Sequence, residues 1–183
     1  MAARGWPVPR EELIELLWPG ETDQRKLGAR LSVQLSAVRR VLSGGVIADR
    51  ESVRLDLAEV TTDLEVVLGD SDNQTVVDTY GGDFLPEDRA ESWTGGGRDE
   101  ARSRFVIAAR RLSETATEAG DHEQAVSLAR RMVQTDPYDD GAHRALISRL
   151  QTAGELGQAK TAHTAWASAM AEVDIEVPDL DQL

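Results

Sequence analysis

Leu27, Leu31, Leu35, Val38 and Leu42 recur at intervals of four, four, three and four residues, the spacing that lines one face of an α-helix. Asp23, a residue type that caps helix N-termini, opens the stretch over 24–43, and Ser43-Gly44-Gly45 closes it. Upstream, Leu13, Leu16 and Leu17, with Ile14 beside them, predict a shorter helix over 9–18. Pro9 suits its start, where a missing N–H costs nothing. Glu11 and Glu12 complement the helix dipole, and Pro19-Gly20 stops the helix. Downstream, Val46-Ile47-Ala48 and Ser52-Val53-Arg54-Leu55 are β-type runs joined by polar Asp49-Arg50-Glu51, which predicts a small hairpin.

The pattern weakens over 62–80. Asp63 is placed to cap a short helix carrying Leu64, Val67 and Leu68; 69–73 reads as a loop and 76–80 as a second short helix. Gly81-Gly82-Asp83-Phe84-Leu85-Pro86 reads as a turn with an apolar plug, and Thr94-Gly95-Gly96-Gly97 as a flexible break, since glycine has the most entropy to lose. From Arg98 onward four helical stripes follow, through Phe105, Ala125, Ala142 and Ala159 in turn. Short loops between such helices imply antiparallel neighbours. Ala119-Gly120-Asp121-His122-Glu123-Gln124-Ala125 recurs as Ala153-Gly154-Glu155-Leu156-Gly157-Gln158-Ala159, an offset of 34 residues at every position. That is the tetratricopeptide period, with glycine at the tight turn and alanine where paired helices approach.

Charge divides the chain. Its formal net charge is −13, which argues against nucleic acid because phosphates repel an acidic surface. Residues 1–57, however, hold nine Lys/Arg against eight Asp/Glu, whereas 58–183 hold eleven against twenty-five. Seven basic residues fall within 25–54. Such asymmetry predicts separate jobs and two domains, 1–58 and 59–183. The helix at 24–43 carries five basic residues and no acid. A short helix, a turn, a basic helix and a hairpin come in the order of a winged helix, whose basic helix enters the major groove. Arg30, Gln34 and Arg40 share its outward side, where arginine can pair with guanine and glutamine with adenine. Arg25, Lys26, Arg39 and Arg54 are better placed for phosphate.

The runs Pro7 to Pro19 and Ala29 to Leu42 resemble the OmpR-type winged helix of SARP-type transcriptional regulators. Tyr80-Gly81-Gly82-Asp83-Phe84-Leu85-Pro86 with Trp93, the Ala119 to Ala125 turn, Asp136-Pro137-Tyr138, Ala142 to Leu146 and the tail Ile175-Glu176-Val177-Pro178 resemble the bacterial transcriptional activator domain (BTAD). The resemblance implies a mainly α protein: a winged helix with a small hairpin, then a tetratricopeptide-like helical array. It also implies that Arg30, Val33, Gln34, Ala37 and Arg40 face the major groove and that Arg54 sits on the wing. Eight residues precede Pro9, too few for the N-terminal sheet and first helix of such a domain. The expectation is therefore an incomplete winged helix in a fragment or reduced form of a longer protein.

Enzymatic chemistry finds no foothold: the sequence has no Walker glycine loop, no HExxH and no nucleophile elbow. It has no cysteine, which removes disulfides and thiolate metal sites and fits a reducing cytoplasm. His122, His143 and His163 lie 20–21 residues apart, and His163 falls on an apolar stripe, as a packed histidine does. Trp18, Trp93 and Trp166 read as packing anchors. No cofactor, metal or membrane is called for. The sequence predicts a transcription-regulator module. It would meet DNA through the helix at 24–43 and the wing at 46–56, and protein (RNA polymerase, another domain or a second copy) through the array. The alternative is a protein-interaction scaffold whose winged helix is vestigial.

Overall fold

A computed structural model describes residues 5–88 and 92–183, apart from the side chain of Ser92. The chain forms two units, one up to Val66 and one from Val67.

In the first unit, β1 (Val8–Pro9) leads into α1 (Arg10–Leu17), and α2 (Gln24–Val41) into a hairpin of β2 (Val46–Ala48) and β3 (Ser52–Leu55). The expected hairpin is present. The three strands form an antiparallel sheet in the order β1-β3-β2. Val8 pairs with Val53, and Val46 with Leu55. The strand at Val8–Pro9 was not expected; proline fits it because β1 lies at the sheet edge, where no N–H is needed. Leu27, Leu31 and Leu35 pack with Ile14, Val46 and Val53, and Leu13, Trp18 and Leu42 close over them in part. The periodic stripe of α2 is thus its buried face as far as Leu35, whereas Val38 is exposed. Asp23 caps α2 as its residue type predicts, accepting from the Lys26 N–H at 3.1 Å.

The short helix α3 (Asp63–Leu68) spans the boundary. The second unit continues with α4 (Asn73–Thr79), α5 (Ser92–Glu118), α6 (His122–Thr135), α7 (Asp140–Thr152) and α8 (Leu156–Ala171), each of α5 to α8 packed on the one before. The internal repeat is visible as geometry. Gly120 and Gly154 take φ of +77° and +76° at equivalent turns, a region glycine enters without a Cβ penalty. Ala125 and Ala159 are buried behind them. Trp166 is fully buried and meets the His163 ring edge-on at 5.8 Å, so both belong to the packing, as expected. Among the described residues, no helix is long and apolar enough to cross a membrane.

Two expectations are corrected. Residues 94–97 are not a flexible break: they lie in the first turns of α5. Each glycine costs a helix about 1 kcal/mol, but tertiary bonds fasten this end. Thr94 is buried and donates to the Asp88 carbonyl at 3.2 Å. Buried Arg98 donates through Nε to the Phe84 carbonyl at 2.6 Å and through Nη2 to that of Leu85. Trp93 is not a core anchor; it is 49% exposed, because those bonds set the rotation of α5.

Candidate nucleic-acid interface

With Leu27, Leu31 and Leu35 turned inward, the remaining sides of α2 are open. Arg25, Lys26, Gln34 and Arg40 are exposed, and Arg54 on β3 is half-exposed. Their side chains make no hydrogen bond or ion pair with the described residues. Lys26, Val33 and Arg40, seven residues apart, follow one line along the helix. Val33 is 69% and Val41 80% exposed, and Ala29, Ser32, Ser36 and Ala37 are exposed between the charges. The face is therefore basic at both ends and small or apolar in the middle, and α2 holds no acidic residue.

Two of the predicted residues are committed elsewhere. Arg39 turns to the sheet, where Nε donates to the Val46 carbonyl and Nη2 to that of Ala48, each at 3.2 Å. It fixes the hairpin to the end of α2. Arg30 turns to the α1–α2 turn. Its Nη1 donates to both carboxylate oxygens of Glu21, at 2.8 and 3.0 Å, and its guanidinium lies 4.4 Å from the Trp18 ring centroid. Helical periodicity placed Arg30, Gln34 and Arg40 on one outward side. The structure leaves Gln34 and Arg40 open there and draws Arg30 toward the turn.

The hairpin supplies what the spacing argument passed over. Ile47 pairs with Arg54 in the register, on the side opposite Val46 and Val53. Asp49 accepts the N–H groups of Glu51 and Ser52, both at 2.8 Å. The Ser52 and then the Glu51 bond hold its carboxyl below the usual carboxylate range. That closed turn leaves Arg50 exposed at the tip. Arg10 ties the arrangement together through the Asp49 carbonyl at 3.4 Å and the Ser32 hydroxyl at 3.1 Å. The sequence signal for Arg50 was its turn position within the basic segment. Nothing short of the fold pointed to Arg10.

In the second unit, a cleft of about 480 Å³ lies where α4 and α6 meet. Asp78, Asp121, Glu123 and Gln124 line it, with Leu128 and Arg131. Arg131 is engaged there, donating to the Val77 carbonyl at 2.9 Å and lying over Phe105, so the acids define its charge. His143 and His163 each bond a proline carbonyl at 2.8 Å, those of Pro137 and Pro178. Among the described residues, no three His, Cys, Asp or Glu side chains gather as a metal site would require.

No curated protein matches this chain. The model of the bacterial transcriptional activator domain matches residues 51–177, from the hairpin turn to the tail beyond α8 and well over half the chain. The chain therefore belongs to the bacterial transcriptional activator domain family.

Proposed function

We propose that this chain is a transcription-regulator module that contacts duplex DNA through the exposed side of α2 and the β2–β3 hairpin, in the manner of a SARP-type winged helix. The family is a regulatory one and not an enzyme family, which makes transcription regulation the role. One observation carries the DNA contact: α2 has no acidic residue, and the exposed side chains of its Arg25, Lys26, Gln34 and Arg40 make no hydrogen bond or ion pair with the described residues. Arg25, Lys26 and Arg40 supply phosphate contacts, which position without specifying. Gln34 presents a bidentate amide suited to adenine. Arg54 and the tip residue Arg50 extend the basic surface along the hairpin, and Arg39 acts through the hairpin it holds. The helical array contacts protein, such as RNA polymerase, another domain of the same protein or a second copy. Such work belongs in the cytoplasm, beside the chromosome.

Duplex binding followed by fluorescence anisotropy across a salt series tests this reading. If four phosphates are neutralised, log K falls with log salt at a slope of about −3.6. Lys26→Ala and Arg40→Ala each make that slope shallower by about 0.9 and weaken all duplexes alike. A flat response, unchanged by both substitutions, leaves the interaction-only reading, which the acid-lined cleft between α4 and α6 favours.

A further inference from the structure

We infer that Trp18, Glu21 and Arg30 form one base-reading unit, in which Glu21 is a positioning residue that directs Arg30 to a neutral acceptor pair, the guanine O6/N7 edge, and away from phosphate. The inference rests on the DNA-contact reading above and adds to it the chemistry of one contact.

Arg30 is held in two dimensions. Trp18 covers one face of its guanidinium, with Cζ 4.4 Å from the ring centroid. Glu21 fixes its rotation by taking Nη1 on both carboxylate oxygens. Both partners are themselves fixed by the turn: the Trp18 N–H donates to the Ile14 carbonyl at 2.9 Å, and the Glu21 N–H to the Trp18 carbonyl at 3.3 Å. What remains is the Nε/Nη2 edge, which donates to nothing among the described residues. That edge carries two parallel N–H groups, the fork that matches a bidentate acceptor. The side chains of Arg30 and Glu21 are 40% and 45% exposed, so a duplex can reach the pair.

The carboxylate decides which acceptor. An exposed arginine ordinarily favours phosphate, because full charges attract. Here a phosphate approaching Arg30 also approaches Glu21, and the two Coulomb terms oppose each other at similar range. Guanine O6 and N7 carry no net charge, so their hydrogen bonds to the Nε/Nη2 edge survive while the phosphate contact is weakened. Preordering also lowers the entropy lost on binding. Arg25, Lys26 and Arg40 have no ion-pair partner among the described residues and keep their attraction for phosphate. The clasp thus separates a reader from the positioning charges around it by competition against the wrong partner.

The test uses the full chain. A preferred duplex is selected from a randomised pool, and its affinity is compared with that of a shuffled duplex across a salt series. Glu21→Gln keeps an oxygen for Nη1 and removes the charge. Binding of the shuffled duplex should then tighten, its salt slope should steepen by about 0.9 as Arg30 takes a phosphate, and the preference should shrink severalfold. Arg30→Lys, which keeps charge and loses the fork, should cost roughly 5- to 150-fold of discrimination at a single G·C pair. If Glu21→Gln leaves both slope and preference at wild-type values while Lys26→Ala still weakens binding, the clasp is a turn staple and the inference fails alone. If the wild-type chain binds no duplex of the pool, the DNA reading fails with it.

Discussion

Gly45 joins the end of α2 to β2, and its surroundings leave no room for a side chain. A Cβ built there would lie 2.0 Å from Cγ2 of Val60 and 3.1 Å from the Leu42 carbonyl. Neither neighbour can retreat freely: Leu42 packs against the core and its carbonyl accepts the Gly45 N–H at 2.9 Å, while the Cβ of Val60 is itself 3.3 Å away and its N–H is tied to the Asp56 carbonyl at 2.9 Å. Gly45→Ala should therefore destabilise the first unit by about 1–3 kcal/mol, as overpacking does, read as a lower urea midpoint for that unit's transition. Gly44 is the contrast: its φ is +95° but nothing lies within 4 Å of an added Cβ, so the cost of alanine there is backbone strain alone. The sequence announced this pair only as a helix stop, since crowding by Val60, fifteen residues on, has no local signature. The same gap explains the arginines. Residue type and spacing found Arg25, Lys26, Gln34 and Arg40 on open surface. Whether an arginine faces solvent or bends to a carboxylate is set by neighbours across a turn, as Glu21 and Trp18 are for Arg30.

At the scale of elements, the hairpin depends on one carboxylate. Asp49 closes its turn through two N–H groups, and those bonds favour the charged form. Its folded-state pKa is depressed, so the stability it contributes is present above the ordinary carboxylate range. That contribution is lost as pH falls through the lower folded value. Asp72, capping α4 through the N–H and hydroxyl of Thr75, shifts the same way. Asp49→Asn should make the acid loss of stability shallower and lower stability at neutral pH, followed by urea unfolding in a pH series. An unchanged acid limb would place the closure of the hairpin elsewhere. Helices were legible wherever apolar residues recur at the right step: α2, α6, α7 and α8 follow their stripes, and the 34-residue offset marks the two glycine turns. The start of α5 was not, because 94–97 carries no stripe. It is fastened from outside by Asp88, Phe84 and Leu85, bonds that composition cannot announce.

Across the whole molecule, both units tie arginines to carbonyls and carboxylates, and they differ in where positive charge is left open. In the second unit, Arg98, Arg104 and Arg131 donate to backbone carbonyls, Arg102 pairs with Asp83, and Arg144 pairs with Asp140. Arg111 and Lys160 apart, the positive charge described there is engaged, and the cleft at α4 and α6 is left acidic. In the first unit, Arg25, Lys26 and Arg40 are bound to nothing described, so a segment of nearly balanced formal charge still offers a basic face. The net charge of −13 thus belongs to the second unit and hides the basic face of the first. This division predicts a clean separation by substitution. Lys26→Glu with Arg40→Glu should abolish duplex binding at physiological salt with little movement of the thermal unfolding curve, since neither side chain makes a hydrogen bond or ion pair with the described residues and an acid gained in the first turn of α2 offsets one gained in its last. Asp78→Asn with Asp121→Asn and Glu123→Gln neutralises the cleft while asparagine keeps the α6 cap. The salt slope counts only counterions released where phosphates are touched, so this triple variant should keep the wild-type slope and lose affinity for a basic protein partner instead. A triple variant with an altered slope would mean that the array, and not α2 alone, meets the duplex.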